Sequence, residues 1–204
     1  RWTLLWREQV VPRRYTRDMT HTDAYDASVH LDNVAENLQL VADLGYGDVA
    51  LATLNDAGML VVRADARPMT ALAAVVGTRV GEVLPPEDEP EAYAALATGE
   101  PVMGEQRRIT RGISYATAAY PIRSGRESHS VIVRDLAQQV LDAPGKMETV
   151  FMQLAEGIIA ELANGPLLEV ENGSPFHTVR IAGDGVMLVD TDGIVDYASP
   201  NAVN

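Results

Sequence analysis

Over residues 30–44 the apolar positions Leu31, Val34, Leu38 and Val41 recur at steps of 3, 4 and 3, the stripe of an amphipathic helix. Gly45 and Gly47 then supply the stop. Two runs rich in β-formers, 48–54 and 59–66, flank Asn55-Asp56-Ala57-Gly58, which predicts a hairpin. Periodicity fails over 67–101, where Pro68, Pro85, Pro86, Pro90 and Pro101 are interspersed with Glu87, Asp88, Glu89 and Glu91; only 92–98 reads as helix there. Three further strands are expected at 102–110, 113–122 and 128–136, joined by turns at Arg111-Gly112 and Ser124-Gly125-Arg126. Residues 146–163 form a second long helix with Met147, Val150, Phe151, Leu154, Ile158 and Leu162 on a broad apolar face, ended by Asn164-Gly165-Pro166.

This order predicts an α+β fold, a five- to six-stranded antiparallel sheet flanked by helices. Residues 164–178 read as a linker, after which the pattern restarts. A strand at 185–190, the turn Thr191-Asp192-Gly193 and a strand at 194–198 make a second hairpin. Ser199 is expected as the N-cap of a following helix, with Pro200 at its first position. A hairpin and a helical stub bury no core of their own, so 179–204 is read as the truncated start of a second domain. Residues 1–28 stay unassigned.

Sixteen basic against 29 acidic residues give a net charge of −13, and five of the arginines (Arg1, Arg7, Arg13, Arg14, Arg17) precede residue 18. Such a surface repels phosphate backbones and anionic lipid, so neither nucleic acid nor membrane is an expected partner. The absence of cysteine removes disulfides, thiolate metal sites and thioether-linked chromophores. No apolar run approaches the roughly 18 residues of a membrane span, and no secretory signal is seen, so a cytoplasmic protein is expected.

Catalytic signatures are sought and not found. The only lysine, Lys146, sits outside any P-loop pattern, no nucleophile elbow occurs, and His21, His30, His129 and His177 lack metal-ligand spacing. One cluster allows two readings. Arg107, Arg108 and Arg111 lie near a hairpin tip with Tyr115 just beyond; Arg108, Arg111 and Tyr115 either hold an anionic or planar small ligand or form a solvated strand edge balanced by the acidic loop 87–91. The face carrying Phe151, Leu154 and Ile158 is open to two partners as well, its own sheet or a second copy in a dimer.

Three stretches together resemble the N-terminal sensor half of cytosolic actinobacterial histidine kinases of the PdtaS type. They are 38–44 running into 45–51; Ala66-Arg67-Pro68-Met69-Thr70 with 76–80; and 183–202, where Gly183-Asp184-Gly185, the turn at Asp192-Gly193 and Tyr197-Ala198-Ser199-Pro200-Asn201-Ala202 follow one another. The resemblance implies a GAF-like sensor domain at 29–163, including a connecting helix at 146–163, and the start of a PAS domain at 179–204. It implies a regulatory module of a two-component kinase that is non-catalytic in this stretch, with ATP bound only by a kinase domain that is absent here. It further implies a homodimer in the full-length protein, a response regulator as partner of the kinase core, and a small-molecule ligand; no cofactor is specified. The competing reading is a stand-alone GAF-like ligand-binding or enzymatic domain in which Arg108, Arg111 and Tyr115 line the pocket.

Overall fold

The computed structural model describes residues 27–110, 112–124, 127–137, 142–165 and 181–203. Residues 1–26 of the unassigned segment 1–28 and 166–178 of the linker 164–178 therefore lie outside the described residues, as does Arg111. Helix α1 (Ala27–Gly45) leads into the hairpin β1 (Gly47–Leu54) and β2 (Leu60–Ala66). After β3 (Val83–Leu84) come α2 (Pro90–Thr98), β4 (Val102–Thr110), β5 (Ile113–Ser124), β6 (Glu127–Ala137) and the connecting helix α3 (Lys146–Asn164). Six strands form one antiparallel sheet in the order β3-β2-β1-β6-β5-β4.

Strand alternation divides the sheet into two buried faces. Val49, Leu51, Ala118, Tyr120, Ile132 and Leu136 meet Val34, Leu38 and Val41 of α1 and Ile159 and Leu162 of α3. Ala50, Ala52, Ala119, Val131 and Val133 face the other way, onto Ala92 and Ala95 of α2 and onto Leu60, Val62 and Leu84. His30 Nε2 donates to the Leu162 carbonyl at 2.7 Å and stitches the start of α1 to the end of α3. His129, by contrast, is exposed on β6.

Strand β3 is an addition to the expected set. Two residues among prolines are too short to show a period, and the pairing depends on Tyr93 of α2: its hydroxyl accepts from Leu60 N at 2.9 Å and donates to Leu84 O at 2.7 Å. Helix α2 begins with Pro90 in its first turn and ends at Gly99 in the left-handed region (φ 71°), which glycine adopts without Cβ strain.

The second hairpin is β7 (Met187–Val189) and β8 (Val195–Ala198). Ser199 does not cap the 3-10 turn Pro200–Ala202 with its side chain; its Oγ instead accepts from Val186 N at 2.9 Å, while its own N–H donates to Val186 O at 2.8 Å. Asn201 Nδ2 donates to Gly183 O, and a Cβ on Gly185 (φ 110°) would lie 3.0 Å from the Ala202 backbone. The glycines at the front of the 183–202 stretch and the Ser-Pro-Asn-Ala at its end thus make one contact seen from two sides.

Candidate functional site

Two of the stretches that carry the resemblance meet at Asp43, in the last turn of α1, together with Ala182 just ahead of the third. Its side chain is 1% exposed. Oδ1 accepts from Gln39 Nε2 (2.9 Å) and Met69 N (2.8 Å), Oδ2 from Ala182 N (3.4 Å), and the Asp43 carbonyl from the Thr70 hydroxyl (2.6 Å). Gln39 Nε2 also reaches the Arg67 carbonyl at 2.8 Å. A buried carboxylate is tolerated when donors surround it. These donors come from the loop after β2 and from the turn before the second hairpin, so one side chain ties the sensor sheet to the following segment.

A column of aromatic rings runs beside this hub. Tyr46 stacks on Phe151 (centroids 6.2 Å, interplanar angle 23°), and Phe151 meets Tyr197 of β8 edge-on (6.2 Å, 88°). Such pairs each contribute about 0.5–1.5 kcal/mol beyond the area they bury. Tyr46 adopts φ 53°, a left-handed conformation that costs a non-glycine residue roughly 1–2 kcal/mol. Its ring, 5% exposed, is packed with Leu44, Phe151 and Ala155, and that burial offsets the strain. Burial, then the charge of Glu148, pushes its hydroxyl up to about 12.

The connecting helix is also fixed by charge. Arg134 of β6 points onto the α1/α3 face with its side chain fully buried, donating to Glu156 Oε1 of α3 (2.5 Å) and to the Gly45 carbonyl (3.0 Å). The Tyr120 hydroxyl donates to the same carboxylate at 2.9 Å, and burial followed by the Glu156 charge raises its pKa.

The opposite face carries a second polar group. Arg108 and Tyr115 stand directly across β4 and β5 from each other. Arg108 donates to Glu89 Oε2 at 2.9 Å and to Glu91 Oε2, so an anion there would have to displace a carboxylate. The Tyr115 hydroxyl bonds Thr110 Oγ1 at 3.1 Å with the ring buried. Arg79 reaches Glu89 from the other side at 3.3 Å. Asp135, 6% exposed, accepts from Thr117 at 2.8 Å; burial and then the Glu89 charge lift its carboxyl from 3.8 to about 7. Among the described residues no group of three candidate metal ligands occurs.

The helix face singled out from sequence is engaged within the chain. Phe151 is 4% exposed, covered by Tyr46 and Tyr197, and Ile158 packs half-buried against the α1 side of the core. Leu154 is half-buried in the cluster around Phe151. Asp43, Tyr46, Arg134 and Glu156 escaped the reading of residue patterns. Arg134 offered a signal, since it alternates with Ile132 and Leu136 on a face that should be apolar.

Among the described residues, a six-stranded antiparallel sheet with two long helices on one face and a third on the other has the GAF-type sensor fold. The family of the GAF domain of the histidine kinase PdtaS matches residues 17–155, and the chain belongs to that family. Sensor histidine kinase PdtaS of Mycobacterium tuberculosis is 29% identical over 180 residues, covering 86% of this chain and 36% of the relative. The protein of the same name from Mycolicibacterium smegmatis is 27% identical over 182 residues, with the same coverage. A solved structure described as the sensor region of a sensor histidine kinase superposes with a TM-score of 0.64 at 29% identity, covering 90% of this chain and 63% of the other. The chain spans about a third of the length of the curated relatives it matches, 36%. It is a regulatory sensor module, and among the described residues no helix is long and apolar enough to cross a membrane.

Proposed function

We propose that this chain is the input region of a cytoplasmic two-component histidine kinase and passes the state of its GAF domain to a kinase core through α3 and the second hairpin. The observation that carries the reading is the continuous packing from Tyr46 through Phe151 to Tyr197, reinforced by Arg134–Glu156 between sheet and helix. Residues 179–204 are the start of a PAS domain, and the region works as a homodimer whose kinase core phosphorylates a response regulator. In the dimer the remaining exposed surface of α3 around Leu154, not Phe151, faces the partner. Arg108, beside Tyr115, holds the start of α2 on the sheet through Glu89 and Glu91 and admits a small anion only by exchange with one of these carboxylates.

The test is labelling by ATP. The full-length protein should acquire acid-labile phosphate on a histidine, and this 204-residue chain should acquire none. Absence of phosphohistidine in the full-length protein would overturn the kinase assignment.

A further inference from the structure

Four buried polar side chains gather on the α2 face of the sheet, and one of their carboxyls lacks a cation. Asp135 of β6 lies directly opposite Asp48 of β1 in the antiparallel register. Thr117 of β5 stands on its other side and donates its hydroxyl to Asp135 at 2.8 Å. Glu89, at the start of α2, accepts from Arg108 Nη1 of β4 at 2.9 Å and from Arg79 Nη2 of the loop 67–82 at 3.3 Å, and its charge acts on Asp135.

The charges around Asp135 do not balance. Arg79 also holds Glu82, Arg108 also holds Glu91, and Arg67 is bound to Asp65. Asp48 has a donor of its own, the Val75 N–H at 2.7 Å, and the Tyr115 hydroxyl beside Arg108 is tied to Thr110. Like charges directly opposite on neighbouring strands repel, and burial away from a cation favours the neutral carboxyl. Asp135 is the member of the group left with a neutral donor, so it is the one that holds a proton.

We propose that Asp135 is a proton-operated release for α2: protonated, it leaves Arg79 and Arg108 to Glu89, and on losing its proton to solvent it becomes a rival acceptor that draws both arginines away and loosens the first turn of α2 and the loop 67–82 from the sheet. Rising pH drives the release, because burial and then the Glu89 charge set this carboxyl at about 7. That the exchange counts as an input to a kinase rests on the sensor reading above, whereas the exchange itself does not.

NMR of the 204-residue chain tests this, with the Asp135 carboxyl carbon and the guanidinium nitrogens of Arg79 and Arg108 as reporters. All should move through one midpoint at about 7, followed by the amides of Ala92 and Tyr93, which donate to the Glu89 carbonyl at 3.1 and 3.4 Å. The amide of Val41, on the opposite face, should stay in place. In Asp135→Asn the arginine signals should hold still over the same range. Glu89→Gln keeps the shape of the side chain without its charge and should lower the Asp135 midpoint by about one pH unit. An unchanged Val41 region shows that both variants fold. An Asp135 carbon that does not titrate between about pH 5 and 9, arginine signals that stay fixed while it titrates, or an unchanged midpoint in Glu89→Gln would each overturn the proposal. No phosphotransfer is read, so that failure leaves the kinase-input reading standing, and a failed ATP-labelling test leaves the titration result standing.

Discussion

Arg134 of the sheet and Glu156 of the connecting helix meet at 2.5 Å, the arginine side chain wholly out of solvent and the glutamate 47% exposed. The pair is asymmetric: removing the glutamate strands a buried guanidinium that has lost its only carboxylate partner among the described residues, whereas removing both leaves an apolar gap. Fully buried pairs lose about 3–5 kcal/mol when one partner is cut, and solvent at Glu156 reduces this to about 2 kcal/mol for Glu156→Ala. Chemical denaturation should show that loss. Arg134→Met combined with Glu156→Leu should recover most of it.

Gly45 and Gly47 mark the end of α1, yet they are required for different reasons. A Cβ at Gly45 would approach Arg134 Nε to 2.8 Å, and one at Gly47 would approach the Asp135 carbonyl oxygen to 2.2 Å. A side chain can yield but a strand backbone cannot. Gly45→Ala should therefore cost about 1–3 kcal/mol, the usual range for overpacking, and Gly47→Ala more. Thermal melts of the two variants should rank them in that order.

Asp135 makes folding pH-dependent. Its carboxyl keeps the proton up to about pH 7 in the folded chain but loses it near 3.8 when unfolded, so ionisation penalises the folded state alone. Stability from this group is whole below the unfolded value and is lost as pH rises through about 7. The stability of the wild type relative to Asp135→Asn should fall by on the order of 4 kcal/mol between acidic and mildly alkaline pH. Parallel stability curves for the two proteins would contradict this.

The helices α1 and α3 and strands β1, β2, β4, β5 and β6 were legible because each is long enough for its apolar period to stand out. Strand β3 was not, since Val83 and Leu84 have no period and are held by Tyr93, distant in sequence. Residue patterns placed Phe151 on the important helix face but left its partner open; Tyr46 and Tyr197 fill that role in this chain. Ser199 has the identity of an N-cap, yet Val186 N competes for its hydroxyl, and no local rule reveals that competition. Asp43 looked like an ordinary polar position of an amphipathic helix. Its importance comes from the backbone N–H groups of Met69 and Ala182, which arrive from 26 and 139 residues away.

The central claim is that the state of the sensor domain travels through α3 to the second hairpin, and Tyr197→Leu tests it most directly. The change keeps an apolar, half-buried side chain but removes the edge contact with Phe151. In the full-length protein, autophosphorylation from labelled ATP should shift at least about threefold, the effect of losing one aromatic contact of about 0.7 kcal/mol from the relay, while the thermal melt of the 204-residue chain falls by only about 2 °C. An unchanged rate in a variant that has lost the Phe151–Tyr197 contact would contradict the account.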